Sequence, residues 1–241
     1  VVRGSDHVTN TATQIQMIRA IDGTVPSFSH HSLLTGPKGE GLSKRLGSLA
    51  LRDMRDAGIQ PMALLSHLVR LGSSDPVELR GSMEEILAGF DLNKFGSAPT
   101  KFDEADLILI TGKYLQRLDY ADVAQDVAAI GVPLAIAEDF WNATRTNIST
   151  LKDLRSWWEL IQNGATPKID FEDKEFVALA ISMLPEGPLD VATWGTWTSA
   201  VKEATDRKGK GLFMPLRRAL TGMSHGPDMG TLLPLLRNIP R

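Results

Sequence analysis

The spacing of apolar and polar positions divides the chain into two unlike stretches. From about Tyr120 onward, apolar residues recur at three- and four-residue intervals, the period of a helix with one buried face. That spacing predicts helices over 120–130, 133–142, 150–163, 172–183, 190–206 and 212–221, with a last one near 229–238. Asp170-Phe171-Glu172-Asp173 and Asp190-Val191-Ala192-Thr193-Trp194 read as helix starts, with acidic residues near the positive end of the dipole. Upstream of Tyr120 the pattern is more broken. Val1-Val2-Arg3-Gly4 reads as the end of a buried strand entering a loop, so a preceding amino-terminal portion is expected. Asn10 or Thr11 is expected to cap a helix running through Ile15, Ile18 and Arg19, which Gly23-Thr24-Val25-Pro26 breaks. A short extended piece, 27–34, follows. Helical runs then extend over 49–57 up to Gly58 and 61–71 up to Gly72, with shorter ones near 82–88 and 104–118. No fixed-period repeat and no low-complexity tract interrupts the chain.

Composition narrows the class only a little. A chain of 241 residues, 42% hydrophobic and 23% charged, has the makeup of a globular protein with room for a core. No stretch approaches the roughly 18 apolar residues of a membrane helix, and no basic region followed by an apolar block reads as a secretory signal. The absence of cysteine excludes disulfides and thiolate metal sites and fits a reducing, cytoplasmic compartment. A net charge of −3 argues against broad, sequence-independent polyanion binding, yet leaves room for a local basic strip that holds phosphates.

Two places carry candidate chemistry. The first lies in the loop over 35–47, which has four glycines, a proline and three basic residues, and contains Gly41-Leu42-Ser43-Lys44-Arg45. Glycines let backbone approach a polyphosphate, and a lysine supplies a compact charge to a phosphate whose charge grows in a transition state. The Walker spacing of a P-loop is absent, and a merely basic surface loop is the plain alternative. The second place is Arg3-Gly4-Ser5-Asp6-His7, at a strand end where parallel α/β sheets bind ligands. Arg3 there would fork onto a carboxylate, or pair with Asp6 as a structural ion pair. The five histidines lack metal-ligand spacing, so zinc is not expected. Trp141, Trp157, Trp158, Trp194 and Trp197 stand at helical spacing and read as core rather than as base-stacking groups. Lys202, Arg207, Lys208 and Lys210 form either a solvated charge run or phosphate contacts.

Taken in order, Val2-Arg3-Gly4-Ser5-Asp6-His7 with Asn10-Thr11, Pro26 and His30, the Gly41–Arg45 loop, and Pro215-Leu216-Arg217-Arg218-Ala219-Leu220-Thr221-Gly222 resemble bacterial glutamyl-tRNA synthetase, a class I enzyme, along the whole chain. The resemblance implies a mainly α fold in three parts: a carboxy-terminal remnant of a Rossmann-type α/β catalytic domain (1–48), a helical stem-contact domain (49–116) and an all-α anticodon-binding domain (117–241). It implies glutamate activation by ATP with Mg2+, then transfer to tRNA-Glu. The Leu42–Arg45 segment matches the family's second ATP signature, usually written KMSKS, which puts Lys44 on the ATP phosphates with Ser43 and Arg45 beside it. Leu33 and Leu34 match a pair whose backbone receives the adenine ring, and Leu42 joins Lys44 among the ATP-binding positions. Arg3 matches an arginine that holds the glutamate carboxylate, and Arg217, Pro227 and Met229 match positions near the anticodon bases.

Several departures qualify the match. Gly41 stands where the signature has its first lysine, a gap that Lys38 is placed to fill, and no HIGH-type first signature occurs in the sequence. The chain alone is therefore not expected to catalyse. In members that reject tRNA-Gln, an arginine sits three residues before the threonine of a T-L-K-E or T-L-K-D segment. Here that segment is Thr150-Leu151-Lys152-Asp153 and the earlier position is Asn147, which implies relaxed discrimination and acceptance of tRNA-Gln, unless Arg145 substitutes. The rival readings are a non-catalytic tRNA-binding module or degenerate paralogue, and an unrelated nucleotidyl-transfer enzyme with a similar loop.

Overall fold

The computed structural model describes residues 1–42 and 50–239. The chain forms two compact units, Val1–Tyr114 and Leu115–Arg241, and is mainly helical.

The first unit begins with a parallel pair. Strand β1 (Val2–Gly4) leads through a single 3-10 turn, Ser5–His7, into helix α1 (Val8–Ala20), and strand β2 (Ser29–His31) returns beside β1 with His30 opposite Arg3. Parallel neighbours need such a crossover, because the chain must travel back before it can pair in the same direction. The helix begins earlier than expected. Thr11 lies within α1 as its one buried residue, and its hydroxyl meets His30 Nε2 at 2.9 Å. Docking the helix on the strand takes the group that would otherwise have capped an end.

Strand β3 (Leu34–Thr35) pairs in parallel with β4 (Thr100–Lys101). Between them lie α2 (Leu51–Ala57), α3 (Pro61–Leu68) and α4 (Met83–Ala88), and α5 (Glu104–Leu115) follows β4. Gly58 closes α2 at φ +90°, a conformation that costs a side-chain-bearing residue far more than glycine. The Ser82 hydroxyl caps α4 by accepting from the Glu85 N–H. Ala63, Ile86, Phe102 and Leu107 are buried in this unit with Ser66, whose hydroxyl donates to the Arg80 carbonyl and accepts from the Arg80 N–H.

His67 is the exception in this interior. It is 3% exposed, stands edge-on to Phe102, and neither ring nitrogen has a hydrogen-bond partner among the described residues. Burial pushes its pKa below the ordinary value of 6.5, partly countered by Asp106. Folding thus favours the neutral ring, while the unfolded chain takes up a proton near the ordinary value. Stability of this unit is expected to be full above pH 6.5 and to fall as the pH drops below it, towards the lowered folded pKa. Urea unfolding followed from pH 7.5 to pH 5 checks this; His67→Leu should flatten the dependence, and an unchanged slope would refute it.

The second unit is all helix: α6 (Tyr120–Ala129), α7 (Leu134–Thr144), α8 (Asp153–Asn163), α9 (Lys174–Ser182), α10 (Thr193–Thr205), α11 (Lys210–Thr221) and the short α12 (Met229–Leu232). Asp119 and Asp122 cap α6 reciprocally. Phe140, Trp141, Leu154, Ile161, Trp197, Leu212, Leu216 and Leu220 form the centre of its core. The tryptophans take the packing role: Trp141, Trp157, Trp158 and Trp197 are buried and Trp194 is half-buried. Three of the indole N–H groups end on backbone carbonyls, of Leu118 at 3.1 Å, Asn147 at 3.4 Å and Ala180 at 2.8 Å.

Pro215 sits inside α11, where it cannot donate to the Gly211 carbonyl one turn back. Arg207 fills the gap, donating to that carbonyl at 3.3 Å while it pairs with Asp173 and lies 4.1 Å from the Phe176 ring centroid. Arg207 is therefore a structural member of the basic cluster, whereas Lys202, Lys208 and Lys210 stand exposed. Among the described residues no single helix is long and apolar enough to cross a membrane.

Candidate functional site

The described candidates in the first unit converge on the ends of its strands. Arg3, on β1, donates from its guanidinium to His7 Nε2 at 2.8 Å. Because arginine has only donors, that ring nitrogen must be the acceptor and His7 carries its proton on Nδ1. The partner of Arg3 is thus His7, not the Asp6 that proximity in sequence suggests. Gly4 brings the two groups of candidates together: a Cβ there would stand 2.5 Å from the Asp6 carboxylate and 3.1 Å from a methyl carbon of Leu33.

Leu33 is exposed and its carbonyl accepts from Thr100 N–H at 2.9 Å, with Leu34 next along β3. A tight hairpin then turns the chain back. Gly36 N–H donates to Glu40 O at 2.7 Å and Thr35 bridges Gly41 in antiparallel sense, which sets Leu42 across from Leu34. The expected ATP-binding positions Leu34 and Leu42 therefore stand opposite each other in the hairpin, with Leu33 next to Leu34 in sequence. The Glu40 carboxylate folds over this hairpin and accepts from Lys38 N–H at 3.0 Å; a Cβ at Gly36 would lie only 2.0 Å from it. Ser43, Lys44 and Arg45, the residues expected on the phosphates, lie outside the described residues.

The second unit gathers its candidates around the start of α12. Arg217, half-buried on α11, donates to the Pro227 carbonyl at 2.9 Å. Burial lowers its pKa and Asp228 counters the shift; the guanidinium stays cationic at any ordinary pH. Asp228 caps α12 by accepting from the N–H groups of Gly230 and Thr231. Pro227 is buried and Met229 is only 2% exposed. The Met229 side chain packs in the core, so any contact from that position outward is made by backbone. Arg218, by contrast, pairs with Asp170 and holds that carboxyl below its ordinary range.

Asn147 is half-buried in the turn after α7, and its amide donates to the Thr146 hydroxyl at 2.9 Å. Arg145 points elsewhere: it donates at 3.0 Å to the Leu118 carbonyl that also receives the Trp141 N–H. That hydrogen bond disfavours its standing in for Asn147. The sequence marks Trp157 only as a core residue and does not single out Glu40 or Gly226. Of the latter two, only Gly226 left a signal, as a glycine directly before a proline. Among the described residues no group of three or more histidine, aspartate or glutamate side chains is placed to hold a metal ion.

Residues 1–108, which include the parallel β–α–β crossover, match the family described as tRNA synthetases class I (E and Q), catalytic domain. Nearly the whole chain extends the match. It is 65% identical over 98% of its length to Glutamate–tRNA ligase 1 of Roseobacter denitrificans, of which it covers 54%. It is 64% identical over 99% of its length to Glutamate–tRNA ligase 1 of Ruegeria pomeroyi, again covering 54% of that protein. The crystal structure of glutamate-tRNA synthetase from Elizabethkingia anophelis shares the fold, with a TM-score of 0.77 over 98% of this chain and 53% of that one at 22% identity. The chain is thus similar along nearly its whole length to bacterial glutamate–tRNA ligases, and it spans about half the length of the curated relatives it matches.

Proposed function

We propose that this chain supplies the second ATP signature and the tRNA-holding part of a cytoplasmic glutamate–tRNA ligase. In that reaction the glutamate carboxylate attacks the α-phosphate of ATP, brought in as its Mg2+ complex, to give glutamyl-adenylate and pyrophosphate. The terminal ribose hydroxyl of tRNA-Glu then takes the glutamyl group and AMP leaves. The observation that carries the reading is the likeness to glutamate–tRNA ligases over nearly the entire chain, across both units. The roles follow the resemblance. Lys44, flanked by Ser43 and Arg45, neutralises the phosphates with Leu42 beside them; the backbone of Leu33 and Leu34 receives the adenine; Arg3 holds the glutamate carboxylate. Residues 117–241 hold the anticodon arm through Arg217 and the Pro227–Met229 backbone, and 49–116 the stem. The chain by itself is not expected to form adenylate, since its sequence has no HIGH-type signature.

The finer proposal concerns which tRNA is chosen. A neutral amide at Asn147, already donating to Thr146, cannot present the charged fork that an arginine would offer a base. The enzyme containing this chain is therefore expected to charge tRNA-Gln as well as tRNA-Glu with glutamate. Comparing kcat/KM for the two purified tRNAs tests this: values within about two orders of magnitude support it, the span that losing one or two good base contacts gives. A preference for tRNA-Glu by several orders of magnitude would refute relaxed discrimination, and failure to charge either tRNA would refute the ligase reading.

A further inference from the structure

Two loops of the proposed anticodon site lie far apart in sequence, and one side chain touches both. Trp157, on α8, donates its indole N–H to the carbonyl of Asn147 at 3.4 Å. The far edge of the same ring abuts Gly226. A Cβ built on that glycine would stand 2.9 Å from Cη2 and 3.6 Å from Cζ3 of Trp157, and 3.5 Å from Nη1 of Arg217. Gly226 has φ +147° and precedes Pro227, whose carbonyl receives the other Arg217 nitrogen at 2.9 Å. Its neighbour Trp158 differs: that ring stands edge-on to Phe140 at 5.9 Å between centroids, under Arg237.

We propose that Trp157 is a positioning residue for RNA discrimination: it fixes the Asn147 turn against the Gly226–Asp228 loop, so that the two present one surface to a single-stranded anticodon loop. The proposal rests on the anticodon reading of Asn147 and Arg217 given above. The physical reason is tolerance. Groups that discriminate bases must be held to about 0.5 Å, which loops achieve only when a rigid side chain braces them. An indole has two side-chain torsions and reaches both loops with opposite edges. Gly226 is then required twice over, because a side chain there would meet a positive φ and the ring of Trp157 together.

The test uses the 241-residue chain and two anticodon stem-loop RNAs, one with the glutamate anticodon and one with its central base changed, the third base being the one at which relaxed discrimination is expected. Fluorescence anisotropy gives a Kd for each with the unchanged chain, Trp157→Phe, Gly226→Ala and, as a packing control, Trp158→Phe. In Trp157→Phe the ratio of the two Kd values is expected to fall by about tenfold, the order of one good base contact. Gly226→Ala should do the same, and Trp158→Phe should leave the ratio intact even if it lowers the melting temperature more. An unchanged ratio in Trp157→Phe and Gly226→Ala overturns the proposal, as does an equal loss in Trp158→Phe. If the unchanged chain binds neither RNA, or binds both alike, the anticodon reading falls and this proposal with it. Discrimination that survives both variants removes the positioning role alone.

Discussion

Trp197→Ala is expected to melt the helical unit some 10–20 °C below the unchanged chain, on the usual relation between stability and melting temperature. Trp197 lies on α10, is 2% exposed, and is among the largest fully buried side chains. It ties two elements: its N–H reaches the Ala180 carbonyl on α9 at 2.8 Å, and its ring stands edge-on to Trp194 at 5.5 Å. Truncating a buried tryptophan costs about 3–5 kcal/mol through lost transfer energy and the cavity left behind. Against a total of roughly 5–15 kcal/mol, that is a large share. Trp197→Phe keeps most of the ring and loses the hydrogen bond, so its cost should be nearer 1–2 kcal/mol. Circular dichroism melts of the two variants check the order; equal and small shifts would mean that the core repacks around the gap.

Lys44→Ala is expected to lower glutamate-dependent ATP–pyrophosphate exchange by about 10²–10³, the loss typical when one preorganised charge is removed from a transition state. The assay needs the complete ligase that contains this chain. Affinity for tRNA should stay unchanged, because in this reading Lys44 meets phosphates of ATP and not the nucleic acid. The expectation comes from the loop's sequence and from the hairpin that delivers it: the Thr35–Gly41 bridge sets the chain beside Leu34 immediately before the signature. Gly41 leaves the signature one charge short, and Lys38 stands in the same hairpin with its N–H on the Glu40 carboxylate. Lys38→Ala should therefore cost activity as well, though less than Lys44→Ala. An exchange rate indifferent to Lys44 would remove the loop from the chemistry.

The helices from Tyr120 onward were legible because each buries one face, which leaves a 3.6-residue period in the sequence, as over α8 with Leu154, Trp157, Trp158 and Ile161. Ends were less legible. At α1 the start could not be read, since Thr11 uses its hydroxyl on His30, a partner set by strand pairing and not by local sequence. The same limit explains Arg3, whose partner proved to be His7 one helical turn on. Candidate residues such as Arg217 were legible through the resemblance, but their supports were not. That Trp157 meets Gly226, or that Arg207 serves the carbonyl freed by Pro215, depends on contacts across α8, α11 and the loops after them. Met229 illustrates the reverse case, a position matched by resemblance whose side chain belongs to the core.

In the proposed reading this chain holds tRNA-Glu and reads its anticodon. The most direct test is the affinity of the 241-residue chain for intact tRNA-Glu against a tRNA with an unrelated anticodon, at fixed salt because phosphate contacts are salt-dependent. Specific binding of tRNA-Glu is expected, tighter by an order of magnitude or more than that of the unrelated tRNA, and weakened by Arg217→Ala. Equal affinity for the two tRNAs, or binding indifferent to Arg217, would contradict it.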